Sequence, residues 1–109
     1  MIAVKIILET FPEKQLEVMQ TLVSLIKPVE KEHGCKSYYV SCDVSNKNCF
    51  YILEEWYTRR DLSRHIKSDI FAVLLGTRIL LRHPLTIQIY TITQIQGFDT
   101  VTAERARRG

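Results

Sequence analysis

The sequence predicts an α+β fold, in which an antiparallel sheet carries its helices on one face. Four segments are rich in apolar, aromatic and β-branched residues, as strands are. Apolar residues recur at helical spacing between the first and second of these segments, and again between the third and fourth. A chain of 109 residues that is 46% hydrophobic supplies one core, and therefore one folded domain.

The first strand and helix come from the first third of the chain. Residues 2–8 form an apolar, β-branched strand, and Pro12 suits the first turn of the helix that follows. Pro28 lacks a backbone N–H and is expected to kink or interrupt that helix. The helix then ends at His33-Gly34, where glycine suits a left-handed cap. Its apolar face consists of Leu16, Met19, Leu22, Val23 and Ile26.

The remaining elements complete the order β-α-β-β-α-β. Residues 36–44 and 49–57 form a hairpin around a polar turn, and residues 61–81 are helical with a break near Ser68-Asp69. A final strand covers residues 85–95 and ends before Gly97. This is the ferredoxin-like arrangement, so residues 1–97 are expected to be the domain and residues 98–109 a basic tail.

Composition excludes several kinds of partner and location. The net charge of +3 is concentrated in the tail, at Arg105, Arg107 and Arg108, which argues against a nucleic-acid partner. No apolar run is long enough to span a bilayer, and the start has no secretory leader, so a cytoplasmic protein without a membrane partner is expected. Three cysteines spaced by seven residues indicate reduced, packed thiols and no metal site.

The sheet face away from the helices is expected to be too apolar for water. Tyr39, Tyr51, Leu53, Tyr57 and residues of the last strand fall partly on this face. Packing it against the same face of a second copy buries the exposed area. The sequence therefore predicts a homodimer.

The stretch of residues 50–71 supplies the candidate site. A strand ends with Glu54, Glu55 and Trp56, and the helix after it carries His65. Titratable and aromatic groups beside an apolar core are typical of a small-molecule pocket. Trp56 and His65 also have structural interpretations, Trp56 as a core residue and His65 as a packed histidine with its hydrogen bonds satisfied. Glu54 and Glu55 alternate sides of the strand, so one of them, which the sequence leaves open, faces solvent or an arginine and the other faces inward. Leu62, His65 and Ile66 are expected to face the sheet together.

The order of elements and several motifs resemble the antibiotic biosynthesis monooxygenase (ABM) family. The motifs are residues 34–38 at the start of the second strand, Phe50-x-x-x-Glu54-x-Trp56, Leu62-x-x-His65 and residues 68–71. The resemblance implies a dimeric α/β barrel. Its members include monooxygenases that use no cofactor, quinol monooxygenases and heme-degrading enzymes.

The heme-degrading branch is disfavoured by three positions of this sequence. That branch has an asparagine at the end of the first strand, a tryptophan in the helix and a histidine ligand further along. This chain has Ile6-Ile7-Leu8, His65 and about Leu75 at those places. No cofactor is therefore expected.

These inferences lead to one leading hypothesis and two alternatives. The leading one is a cofactor-independent monooxygenase for a small hydrophobic aromatic or quinol. His65 and Glu54 are its expected catalytic residues, and Trp56, Tyr38 and Phe71 its expected substrate-binding residues. The alternatives are a non-catalytic ligand-binding or assembly module of the same fold, and an isomerase acting on a small carbonyl compound.

Overall fold

A computed structural model describes residues 1–108 and confirms the predicted α+β fold. Four strands form one antiparallel sheet with the spatial order β2-β3-β1-β4. The strands and helices are β1 (Ile2–Glu9), α1 (Gln15–Glu30), β2 (Cys35–Cys42), β3 (Cys49–Trp56), α2 (Arg59–Ile66), α3 (Asp69–Gly76), β4 (Thr86–Thr91) and α4 (Phe98–Ala106).

The core lies between the sheet and the helices α1 to α3. On β1, Ile2, Val4, Ile6 and Leu8 are buried, while the residues between them are only half-buried. This alternation arises because successive side chains of a strand point to opposite faces. The even-numbered residues of β3 share the buried face, because Val4 pairs with Glu54 and Ile6 with Ile52.

Helix α1 passes through Pro28 without interruption, so of the two expectations for this proline, a kink or an interruption, the interruption was wrong. Pro28 lies in the last turn of the helix and is exposed, while its neighbour Val29 is buried and anchors that turn. The missing N–H therefore costs only one hydrogen bond near a helix end. The predicted left-handed glycine is confirmed, since Gly34 has a φ of 81°.

The second helical region divides where the sequence predicted. The hydroxyl oxygen of Ser68 accepts a hydrogen bond from the Phe71 N–H at 3.1 Å and so caps α3. Leu62 faces the sheet as expected, with 1% of its surface exposed. Ile66 is not buried with it, because 37% of its surface is exposed.

The last part of the chain differs from the prediction in two respects. Strand β4 ends at Thr91 and does not reach residue 95, and all six of its residues are exposed. The expected tail forms helix α4, none of whose residues is buried. Gly109, the last residue of that expected tail, lies outside the described residues. Among residues 1–108, no helix has both the length and the apolar character needed to cross a bilayer.

The sheet face away from the helices is open in the single chain. Tyr39 pairs with Leu53, and Leu53 pairs with Lys5, so the three side chains form a row across this face. Tyr39 is 66% exposed and Leu53 is 49% exposed. The face is thus partly apolar and partly polar, and the predicted dimer stays a prediction.

Candidate functional site

Strand β3 places Glu54 and Trp56 side by side in the core. They are two residues apart and therefore point to the same face of the sheet. Both are fully buried, and the indole Nε1–H of Trp56 donates a hydrogen bond to Glu54 Oε1 at 3.0 Å. Glu55 points to the opposite face, where it accepts a hydrogen bond from the Ser37 hydroxyl. Glu54 is thus the inward-facing carboxylate of the two.

Helix α2 brings His65 onto this pair. The Thr58 hydroxyl oxygen caps the helix by accepting from the Asp61 N–H, and His65 follows one turn after Asp61. Its ring stacks on Trp56 with a centroid separation of 4.6 Å. The ring of Phe71, at the start of α3, meets the imidazole edge-on at 5.3 Å. Only 2% of His65 is exposed, so both neighbours contact a buried ring.

Two carboxylates lie next to the imidazole of His65. Glu32, in the turn between α1 and β2, has its Oε2 2.7 Å from Nδ1. Glu54 Oε2 lies 3.6 Å from Nε2, which is longer than a full hydrogen bond, and it has no hydrogen-bond partner. An unpaired acceptor on a fully buried carboxylate is costly, so the charge of the imidazolium is its main compensation.

The pKa of His65 reflects these opposing influences. Burial alone lowers the pKa, because an imidazolium is poorly solvated in the core. Interaction with Glu54, and then with Glu32, outweighs burial, so the pKa of His65 is raised above its ordinary value. Since the Glu54 contact is 3.6 Å long, we interpret its influence as mainly electrostatic. Compared with an ordinary histidine, the His65 ring therefore holds its second proton to a higher pH.

Tyr38 and Cys35, both on β2, complete the surroundings of the carboxylates. Tyr38 is the cross-strand partner of Glu54 and is 3% exposed. Burial and the charge of Glu54 raise the pKa of the Tyr38 phenol. Burial and the same carboxylate raise the pKa of the Cys35 thiol to about 11. Both groups are therefore neutral at neutral pH.

The structure brings the five predicted site residues into one region of the core. Trp56 and Phe71 contact His65, Glu54 lies beside its ring, and Tyr38 lies opposite Glu54 on the neighbouring strand. Sequence reasoning missed Glu32, because an acidic residue after a helix is usually solvated. Its position two residues before a predicted left-handed glycine was the available signal, since such a turn folds back towards the sheet.

Within residues 1–108 of the single chain, no cavity opens beside this cluster. The same residues contain no group of three or more His, Cys, Asp or Glu side chains arranged to hold a metal ion. At the positions that distinguish the heme-degrading branch, Leu8 is buried in the core and Leu75 is an exposed apolar residue of α3. Neither side chain can ligate iron.

Comparison with known proteins agrees with the fold. The sequence model of the antibiotic biosynthesis monooxygenase family matches residues 1–74. The uncharacterized protein sll1783 of Synechocystis sp. is 31% identical over 86 residues, which are 78% of this chain and 58% of that protein. The chain thus spans less than two thirds of this curated relative.

Solved structures match over most of the chain. A conserved protein of Methanosarcina mazei Go1 is 34% identical with a TM-score of 0.77, covering 82% of this chain and 89% of its own. Rv0793 of Mycobacterium tuberculosis is 20% identical with a TM-score of 0.81, covering 88% and 98%. A structure of an antibiotic biosynthesis monooxygenase is 21% identical with a TM-score of 0.79, covering 86% and 100%.

Proposed function

Because the chain belongs to the antibiotic biosynthesis monooxygenase family, we propose that it is a cofactor-independent monooxygenase for a small hydrophobic aromatic or quinol. The observation that supports this proposal is the imidazole of His65, buried between two carboxylates and stacked on Trp56. A base of this kind in a dry, aromatic environment suits proton removal from a phenol-type substrate.

The proposed chemistry uses His65 as the base and the substrate as the reductant. Nδ1 of His65 faces Glu32, which leaves Nε2, in the neutral ring, to accept the substrate proton. The resulting anion transfers an electron to molecular oxygen, and the two radicals combine. When the reacting carbon is a CH₂ group, one oxygen atom becomes its carbonyl oxygen and the other leaves as water. Carbon, hydrogen and oxygen balance, and the substrate supplies all the electrons.

The proposal includes a homodimer in the cytoplasm. The open sheet face, with Tyr39, Leu53 and Tyr57 exposed, supplies an apolar surface for a second copy. The proposed location follows from the cysteines. Cys35, Cys42 and Cys49 are all free. Cys42 pairs with Phe50 and therefore points to the opposite face of the sheet from its neighbour Cys49. Free thiols suit a reducing compartment.

A second candidate, a non-catalytic binding or assembly module, is favoured by one observation. The cluster around His65 is closed in the single chain, and its ring nitrogens face protein carboxylates. An imidazolium held in this way can serve the fold alone. On the oxygenase proposal, a substrate must therefore displace part of this packing to reach Nε2.

Oxygen uptake distinguishes the two candidates. The wild-type protein is incubated with a panel of quinols and hydroxylated aromatics in an oxygen electrode, and each compound is also titrated against Trp56 fluorescence. Oxygen consumption that is lost in His65→Ala and kept in His33→Ala supports the oxygenase. His33 is the matched control, because its side chain is 83% exposed in the same region of the fold. Binding without oxygen consumption favours the module.

A further inference from the structure

Glu32 connects the buried carboxylate–imidazole cluster to solvent. Its side chain is 19% exposed, whereas His65 is 2% exposed and Glu54 is fully buried. The 2.7 Å contact between Glu32 Oε2 and Nδ1 is short, as in a charge-assisted hydrogen bond. Glu32, His65 and Glu54 thus lie in a line that runs from the surface to the core.

We propose that Glu32 carries protons between water and the buried His65–Glu54 pair, a role that we call a proton port. Its carboxylate holds the Nδ1 proton of His65, which fixes the tautomer that directs Nε2 at Glu54, and it exchanges that proton with water. A proton taken up at Nε2 is matched by release of the Nδ1 proton to Glu32 Oε2 and from there to solvent. No electron moves in this exchange. Its importance for turnover rests on the proposed oxygenase function, and Glu32 acts there as a positioning residue.

The other groups around His65 do not provide this path. Tyr38 and Cys35 on β2 are neutral at neutral pH, because burial and the nearby carboxylates raise the pKa of each. Phe71, which α3 places against the ring, cannot ionise. On α2 itself, Asp61 is occupied by Thr58 and Arg64 at the opposite end of the helix. The two glutamates are thus the charged groups in direct contact with the imidazole.

Trp56 provides a readout that does not depend on turnover. It is the single tryptophan of the chain and stacks on the His65 ring. A protonated imidazole accepts an electron from the excited indole and quenches its fluorescence. The fluorescence of Trp56 as a function of pH therefore reports the protonation of His65 in the protein without substrate.

The experiment compares Glu32→Gln with Glu30→Gln, which removes an exposed carboxylate at the end of α1. Nitrogen-15 NMR of the His65 ring is recorded with the fluorescence titration. In Glu32→Gln we expect the fluorescence midpoint to fall by about one pH unit, because one opposite charge is lost. We also expect ring N–H exchange with water to slow by at least roughly tenfold, because an amide at position 32 cannot take up the Nδ1 proton and pass it to water as a positioned general base does. Glu30→Gln should match the wild type in both.

An unchanged exchange rate in Glu32→Gln overturns the proposal, as does an equal effect of Glu30→Gln. If Glu32→Gln does not fold, Glu32→Asp decides the question, because an acid one methylene group shorter must still slow the exchange. An exchange rate equal to that of the wild type then rejects the port. None of these measurements needs substrate, so this proposal and the proposed oxygenase function can fail separately. The proton port can be confirmed in a protein that consumes no oxygen, and oxygen uptake can be observed in a protein without the port.

Discussion

Replacing His65 by alanine should destabilise the fold by about 3–5 kcal/mol at pH 6, the usual cost of removing one partner from a buried ion pair. The cost is high because Glu54 is fully buried and its Oε2 has no hydrogen-bond partner. Without the imidazolium, Glu54 keeps the hydrogen bond from Trp56 Nε1 and loses its positive neighbour. A domain is typically stable by about 5–15 kcal/mol, so the variant should remain folded at low temperature.

The pH dependence of this loss follows from the raised pKa of His65. A group whose pKa is raised in the folded state stabilises the fold fully below its unfolded value, which is about 6.5 for histidine. That contribution is lost as the pH rises through the folded value. The difference between wild type and His65→Ala should therefore be largest near pH 6 and shrink at higher pH, where the wild type also holds an uncompensated Glu54.

Urea unfolding followed by far-ultraviolet circular dichroism measures this difference without relying on Trp56. His33→Ala is the control: its side chain is 83% exposed and lies 3.9 Å from Asp61, so its loss should cost no more than about 0.5 kcal/mol. A cost below about 1 kcal/mol for His65→Ala, or one that grows with pH, contradicts the reasoning about the buried pair. If His65 is the catalytic base, the folded variant should also lose turnover by roughly 10²-fold.

Three further predictions concern the turn, the assembly and heme. Gly34→Ala should cost at least about 1 kcal/mol in the free energy of unfolding, measured by thermal unfolding, because the φ of Gly34 is 81° and a Cβ there collides with the Asp61 carboxylate. The control is Gly76→Ala, whose added Cβ meets no atom within 4 Å, so this change should be neutral or stabilising. The wild type should be a dimer by light scattering at micromolar concentration with more than about 1,000 Å² buried, and a monomer contradicts this. Leu53→Arg should weaken such a dimer by at least about 100-fold, because two-fold symmetry buries the charge twice. Hemin should form no one-to-one complex with a sharp Soret band, and a complex whose spectrum ascorbate destroys contradicts this prediction.

The sequence predicted those parts of the fold that depend on local pattern. The run of apolar and β-branched residues predicted β1, whose side chains alternate in burial, and a serine able to cap a helix predicted the break at Ser68. The wrong expectations depend on tertiary surroundings. Pro28 is tolerated because it falls in the last turn of α1, and Ile66 is exposed because the helix presents Leu62 and His65 to the core.

The site was predicted as far as spacing along one segment allows. An acid, Trp56 and His65 were expected near one another, but the sequence left open which of Glu54 and Glu55 points inward, because alternate residues of a strand face opposite sides. Glu32 could not be found in this way, since it lies 33 positions before His65 and approaches it only through the fold. Long-range contacts between charged groups leave no periodic pattern in a sequence.

The turn between α1 and β2 contacts helix α2 at two points one helical turn apart. Glu32 binds His65, and Gly34 lies against Asp61, four residues earlier on the same face of the helix. The spacing of these two contacts along the three-residue turn therefore has to match their spacing along the helix. Loops usually accept insertions, but one extra residue here moves both contacts out of register together. The length of this turn is therefore as much a property of the site as the identity of its side chains.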